Sequence, residues 1–167
     1  FGNAQLDTAQ FKWTPSSLLL DGSGDYATTP SSADFAYGTG DFTWEAWIRY
    51  AGSVGTNGYV FDHGANGGGL LVNNSGGRLA YYNTTTGVGS ALFSSGPALT
   101  TNVWQHIAVA RQSGTTRLFL DGVLGASASD SHSFGSQILS IGQFGGGGFN
   151  FNGHIDDARL TKGVARY

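Results

Sequence analysis

The stretch that decides the fold runs from Trp104 to Ser127 and reads WQHIAVARQSGTTRLFLDGVLGAS. Two apolar-rich runs are joined by the polar turn Gln112–Thr116, and a tighter turn follows at Asp121-Gly122. Asp-Gly between such runs suits a two-residue hairpin, whose central residues both take positive φ. In the first run Ile107 and Val109 share one face, and Trp104, His106, Ala108 and Ala110 share the other. Beyond the turn, Leu118 and Leu120 alternate with Arg117, Phe119 and Asp121. Period-two alternation with β-branched and aromatic residues reads as a three-stranded meander. No stretch of comparable length carries a helical period. The chain is therefore expected to be all-β.

Working outward, the clearest single strand is Phe42–Tyr50, FTWEAWIRY. Phe42, Trp44, Ala46 and Ile48 fall on the face expected to meet the core; Thr43, Glu45, Trp47 and Arg49 fall on the other. Shorter strands are expected at Ser16–Leu20, Tyr26–Thr29, Tyr59–Asp62, Leu70–Asn73, Arg78–Asn83, Gln137–Ile141 and Gly153–Leu160, with an edge strand near Ala91–Phe93 inside the weakly apolar Thr84–Gly96. Residues 1–15 have no period and read as irregular, and Gly142–Asn152 reads as a glycine-rich loop. Strand-sized pieces at short, regular spacing between turn signals give a two-sheet antiparallel sandwich.

The 167 residues are read as one domain. Apolar residues make up 40% of them, with 11 Phe, 7 Tyr and 4 Trp, enough for a sandwich core without a disulfide. Charged residues are 11%, well under the usual ~25%. Ser, Thr, Asn, Gln and Gly must therefore build the surface; hydroxyls and amides suit sugar-like partners, although a β-protein surface can simply need few charges. Eight basic residues against eleven acidic ones, with no basic cluster, argue against nucleic acid. No apolar run approaches the length needed for membrane insertion. The chain has no cysteine, and no methionine even at position 1, so it is read as a piece excised or processed from a longer polypeptide.

Four pieces in order, SLLLDGSGDYATTP (Ser17–Pro30), TGDFTWEAWIRY (Thr39–Tyr50), the WQHIAVAR…TTRLFLDG block and NGHIDDARLTKGVARY (Asn152–Tyr167), resemble laminin-G-like, concanavalin A-like jelly-roll domains. The opening FGNAQLDTAQFKW and closing TKGVARY look like the version found in bacteriophage tail and surface proteins and in some bacterial surface proteins. The resemblance implies a jelly roll but leaves function open, because this fold hosts lectins, adhesive modules, spacers and glycan-cleaving enzymes.

Glycosidases of this general fold place carboxylates two and four residues apart on one strand. The single glutamate, Glu45, is followed at those spacings by Trp47 and Arg49, so no enzyme is expected. His63, His106, His132 and His154 show no metal-ligand spacing, and His106 reads as a hydrogen-bonded sheet histidine. The resemblance also implies a structural calcium ion, with Asp156 first and Asp157 second meeting the Asp21-Gly22 turn; oxygen-only ligation suits that ion. The alternative is that these acids pair with Arg159 or cap a loop.

Sugar sites need an aromatic platform flanked by amides or carboxylates. Three places offer it: Tyr59 with His63; Asn73 with Arg78, Tyr82 and Asn83; and the loop Phe144–Phe151, which displays Phe149. Buried alternate tyrosines and a loop tucked against the core are the plain alternatives. The expectation is a non-catalytic, extracellular module displayed on a phage virion or bacterial surface, binding a cell-surface glycan weakly. The second reading is a structural or decorating domain that contacts only neighbouring virion or surface proteins.

Overall fold

A computed structural model of the protein describes residues 1–13, 15–52, 55, 57–64, 67–73, 75–83, 91–93 and 97–167. Thirteen strands are present among them: β1 (Gln5–Asp7), β2 (Ser17–Asp21), β3 (Ala27–Thr28), β4 (Phe42–Tyr50), β5 (Gly58–Asp62), β6 (Gly69–Val72), β7 (Leu79–Tyr82), β8 (Ala91–Phe93), β9 (Trp104–Gln112), β10 (Thr115–Leu120), β11 (Val123–Ser129), β12 (Ser140–Ile141) and β13 (Asn152–Lys162). They form two antiparallel sheets, a seven-stranded one in the order β1-β2-β13-β4-β9-β10-β11 and a six-stranded one in the order β3-β12-β5-β6-β7-β8. One short 3-10 turn, Ala33–Phe35, is capped by the Ser32 hydroxyl.

The central meander forms as its sequence dictates. β9 pairs with β10 from Gln112↔Thr115 to Ile107↔Leu120, and β10 pairs with β11. Asp121 (φ 49°) and Gly122 (φ 78°) both take the left-handed conformation that a two-residue hairpin requires. The polar turn before them is tighter than its composition suggests, because Ser113 (φ 48°) and Gly114 (φ 74°) close it in two residues as well.

Inward positions of both sheets interleave in one core. Phe42, Trp44, Ala46 and Ile48 of β4 meet Ile107, Val109, Leu118 and Leu120 of the meander and Phe61, Leu70, Val72, Leu79 and Tyr81 of the six-stranded sheet. Burying each large side chain contributes roughly 1.5–3 kcal/mol. Arg111 is the exception in kind. It is fully buried between the rings of Phe42 and Phe134, at 5.1 and 5.0 Å. Its guanidinium donates to the carbonyls of Gly38, Gly40 and His132 at 2.6–2.9 Å, with Asp130 at 3.8 Å. A planar five-donor head can satisfy three loop carbonyls at once, which an ammonium cannot.

Three expectations need correction. Residues 1–15 are not wholly irregular: Gln5–Asp7 adds an edge strand to β2. The strand expected over Gln137–Ile141 shrinks to Ser140–Ile141, because the Leu139 N–H donates to the Thr29 hydroxyl and Gln137 makes only an isolated bridge to Ser32. The final strand is longer than expected and bulged between Asp156 and Arg159. Of Thr84–Gly96, only the strand Ala91–Phe93 is described; the rest of that expectation lies outside the described residues.

Candidate functional site

The residues expected to bind sugar are split by the fold. Tyr59 and Phe149 do meet, on the outer face of the six-stranded sheet. A bulge in β5 opposes two residues to one on β6, so Val60 and Phe61 both face the core while Tyr59 and Asp62 face outward. Tyr59 packs there with Leu71, Ala80, Tyr82 and Phe144. Phe149, in the left-handed region (φ 53°), stands 6.0 Å from Tyr59 and 5.9 Å from Phe144. Gly69 makes this possible, since a Cβ there would collide with the Tyr59 ring.

His63 and Asn83 do not join them. Strand alternation turns His63 inward, where it is fully buried, rings of Trp44, Tyr37 and Phe134 surround it, and its Nε2 sits 2.6 Å from the Phe35 carbonyl. Asn83 is likewise buried, its amide donating to the Tyr81 hydroxyl at 3.2 Å. Asn73 and Arg78 bracket the β6–β7 turn, four residues along β7 from Tyr82, or ~13 Å. There Asn73 serves as a turn cap, accepting from the Ser75 N–H at 2.8 Å and donating to Asn57 at 3.2 Å.

The calcium set is not assembled either. Asp21 lies opposite Asn152 on β13, four residues from Asp156, which again is ~13 Å along a strand. Asp156 accepts the backbone N–H groups of Lys12 and Trp13, both at 2.8 Å, with one oxygen and that of Asp157 with the other. Asp21 caps its own turn through the Ser23 N–H. Among the described residues, no three histidine, aspartate or glutamate side chains converge to hold a metal ion. These three aspartates do not fit the ion as one site.

Asn73 and Arg78 line a hollow of about 580 Å³ at the β6–β7 turn, and a groove of about 470 Å³ lies on the outer face of the seven-stranded sheet. Its floor follows from alternation. Glu45 and Trp47 of β4 face outward, and register places His106 of β9 beside Trp47 and Arg159 of β13 beside Glu45. The β13 bulge matters here: two residues, Asp157 and Ala158, oppose one, so Arg159 is restored to the outer face. Asp157 is left exposed on the bulge with φ 47°. The walls come from the two ends of the chain. Asp156 pins the N-terminal segment so that Trp13 stands 6.4 Å from Trp47, and Thr43 holds the C-terminal segment through Val164 and Arg166 so that Tyr167 packs on Phe119 and His106. Asp121, at the hairpin turn, completes the lining.

Glu45 is the electrostatic centre of this floor. It is 2% exposed, and Arg159 reaches it at 2.8 Å, the Tyr167 hydroxyl at 2.5 Å, His106 at 3.4 Å and Arg166 at 3.6 Å. Burial alone would raise its carboxyl, but hydrogen bonds from Arg159 and Tyr167, with the charge of Arg159, outweigh it and hold the group below its ordinary range. Burial and Glu45 together push the Tyr167 phenol up to about 12. Asp62, under the other sheet's aromatic cluster, behaves oppositely: burial pushes it up to about 7 although the N–H groups of Gly64 and Gly145 donate to it at 2.9 Å.

The groove is half legible in the sequence. Alternation gives the outward face of Glu45 and Trp47, and it puts His106 on the outer face of its own strand. It does not give Trp13, Tyr167 or Arg159, because the two end segments and a bulge that reverses parity bring them in.

Residues 21–165 match the concanavalin A-like lectin/glucanases superfamily. This chain belongs to that superfamily. No curated protein sequence matches it. Among solved structures, this superfamily member is similar to a putative carbohydrate binding protein from Bacteroides ovatus (22% identity, TM-score 0.67, 85% of this chain and 42% of that one). It is also similar to domains LG4-5 of the mouse laminin alpha1 chain (16% identity, TM-score 0.63, 94% of this chain and 41% of that two-domain structure). Domain 4 of a GH43 extracellular arabinanase from Geobacillus stearothermophilus, solved with arabinotriose, matches with 14% identity and TM-score 0.72 over 99% of this chain and 78% of that one. The chain thus spans about two fifths of the first two relatives. At these identities the likeness speaks for the fold. Among the described residues, no helix is long and apolar enough to cross a membrane.

Proposed function

We propose that the chain is a non-catalytic glycan-binding module, acting outside the cell on the surface of a phage virion or bacterium. The observation that carries this is the groove itself: exposed aromatic walls, Trp13 and Tyr167, over a floor where Trp47 lies beside fixed polar groups. Aromatic faces stack on sugar C–H groups, and the exposed carboxylate of Asp157 and the terminal nitrogens of Arg159 are placed to bond hydroxyls. The arabinanase domain of the same fold was solved in complex with arabinotriose, which supports this class of partner. Glu45 is a poor general acid, because it is spent on its ion pair with Arg159 and held below its ordinary range, where hydrolysis of glycosides needs a protonated carboxyl.

An open groove of this kind excludes little water, so one copy binds weakly, at about 10⁻³ M, or about −4 kcal/mol. Attachment then depends on several copies, since linking sites raises avidity by roughly 10²–10⁴-fold. The test is a clustered form of the protein screened against bacterial surface polysaccharides, alongside Trp13→Ala. Binding that Trp13→Ala weakens supports the reading; silence across the panel overturns it in favour of a purely structural domain.

A further inference from the structure

The inner corner of the groove already holds a cation. Trp13 and Trp47 meet nearly at right angles, 6.4 Å apart with an interplanar angle of 77°. In that corner lies the ammonium of Lys12, 4.1 Å from the Trp47 ring centre and 5.9 Å from that of Trp13. No hydrogen bond or ion pair engages this Nζ among the described residues, so the rings are its partners.

The charges around the corner favour a cation over an anion. Arg159, through its Nε, and Arg166 both face Glu45, at 2.8 and 3.6 Å, so the charge of that carboxylate is spent on them. Asp121 and Asp157 line the groove, and Asp156 lies beneath the Lys12 backbone. Asp121 and Asp156 accept only from neutral N–H groups, whereas Asp157 accepts no hydrogen bond among the described residues but shares the field of Arg159. A positive group over the negative face of an indole, near carboxylates that no salt bridge neutralises, is attracted by both.

We infer that the Trp13–Trp47 corner is a binding site for an alkylammonium group of the ligand, and that Lys12 is its tethered placeholder. Its flexible four-carbon stem lets the lysine swing into solvent when a ligand ammonium enters. The proposal rests on the groove being the binding site and adds the class of glycan it selects: one with free amino groups, or one decorated with choline. Both carry the same chemistry, an organic cation small enough for the corner. Loss of the lysine head should therefore help such ligands, which is the reverse of what a lysine that binds them would do.

Tryptophan-fluorescence titration at physiological ionic strength tests this, with the wild-type protein, Lys12→Gln and Trp47→Leu. The probes are glucosamine oligomers, their N-acetylated counterparts of equal length, and choline chloride. Wild type is expected to prefer the free-amine oligomers over the acetylated ones by about two- to fivefold, the range of one exposed cation–π contact. Lys12→Gln should tighten the amine oligomers and choline and leave the acetylated oligomers unchanged. Trp47→Leu should abolish the preference. Equal binding of both oligomers in wild type and in Lys12→Gln overturns the ammonium site and leaves the glycan groove standing. Choline binding without any oligosaccharide binding does the reverse. No binding of any probe to Lys12→Gln overturns the ammonium site, and the polysaccharide panel then decides the glycan groove by itself.

Discussion

Trp44 and Trp47 sit three residues apart on one strand and do opposite work. Trp44 is fully buried between the sheets, whereas Trp47 lies half-exposed on the groove floor. Trp44→Ala should cost ~3–5 kcal/mol in a denaturant melt, as large-to-small core changes do, and Trp47→Ala clearly less. Equal costs would mean that the faces of β4 are reversed. Asp62 makes a prediction in pH. Its folded-state carboxyl is raised to about 7 by burial, above its value in the unfolded chain, so the folded state binds this proton more tightly. Its contribution to stability is full at acid pH below the unfolded value and declines as pH rises toward and through 7. Its loss therefore falls between roughly pH 4 and 7, while buried His63, held below its ordinary value, pulls the other way over part of that range. The melting temperature of Asp62→Asn relative to wild type should therefore rise from about pH 4 to about pH 7; a difference that stays constant with pH would contradict it.

Single elements show why some features are readable in the sequence and others are not. The meander and β4 are legible because a strand's side-chain period is two and the buried positions Phe42, Trp44, Ile107, Val109, Leu118 and Leu120 keep to it. Bulges break that period, so Tyr59 and Asp62 on β5, and Arg159 on β13, have outward faces that alternation misassigns. His63 and Asn83 look like ligand groups only because residue type says nothing about which side of the sheet a flanking position takes. Arg111 looks like an ordinary strand residue; its burial depends on carbonyls from Gly38, Gly40 and His132, all far from it in the chain. Arg111→Met leaves those acceptors and Asp130 uncompensated, and should cost ~3–5 kcal/mol, the range for breaking a buried charge pair from one side. A chemical melt within the error of wild type would show that the loops around Gly38 and His132 relax without it.

At the scale of the molecule, the sandwich is a platform whose two outer faces are finished differently. The six-stranded sheet is covered by its glycine-rich loop, with Phe149 over Tyr59. The seven-stranded sheet is crossed by both end segments, and the gap between Trp13 and Tyr167 is the groove. Asp21 stands ~13 Å along the strand from Asp156, and both accept backbone N–H groups, so these aspartates are not expected to hold calcium together. A chelator should leave the melting temperature unchanged; a drop that added calcium restores would show an ion bound through other oxygens. The central claim is that glycan enters the groove of the seven-stranded sheet. The most direct measurement is a proton–nitrogen correlation spectrum of the tryptophan indoles during titration with an oligosaccharide that the clustered protein captures. The indole signals of Trp13 and Trp47 should move together while that of buried Trp44 stays still. Still indoles at Trp13 and Trp47, with backbone shifts confined to Tyr59, Tyr82 and Phe149, would place the sugar on the opposite sheet and contradict the account.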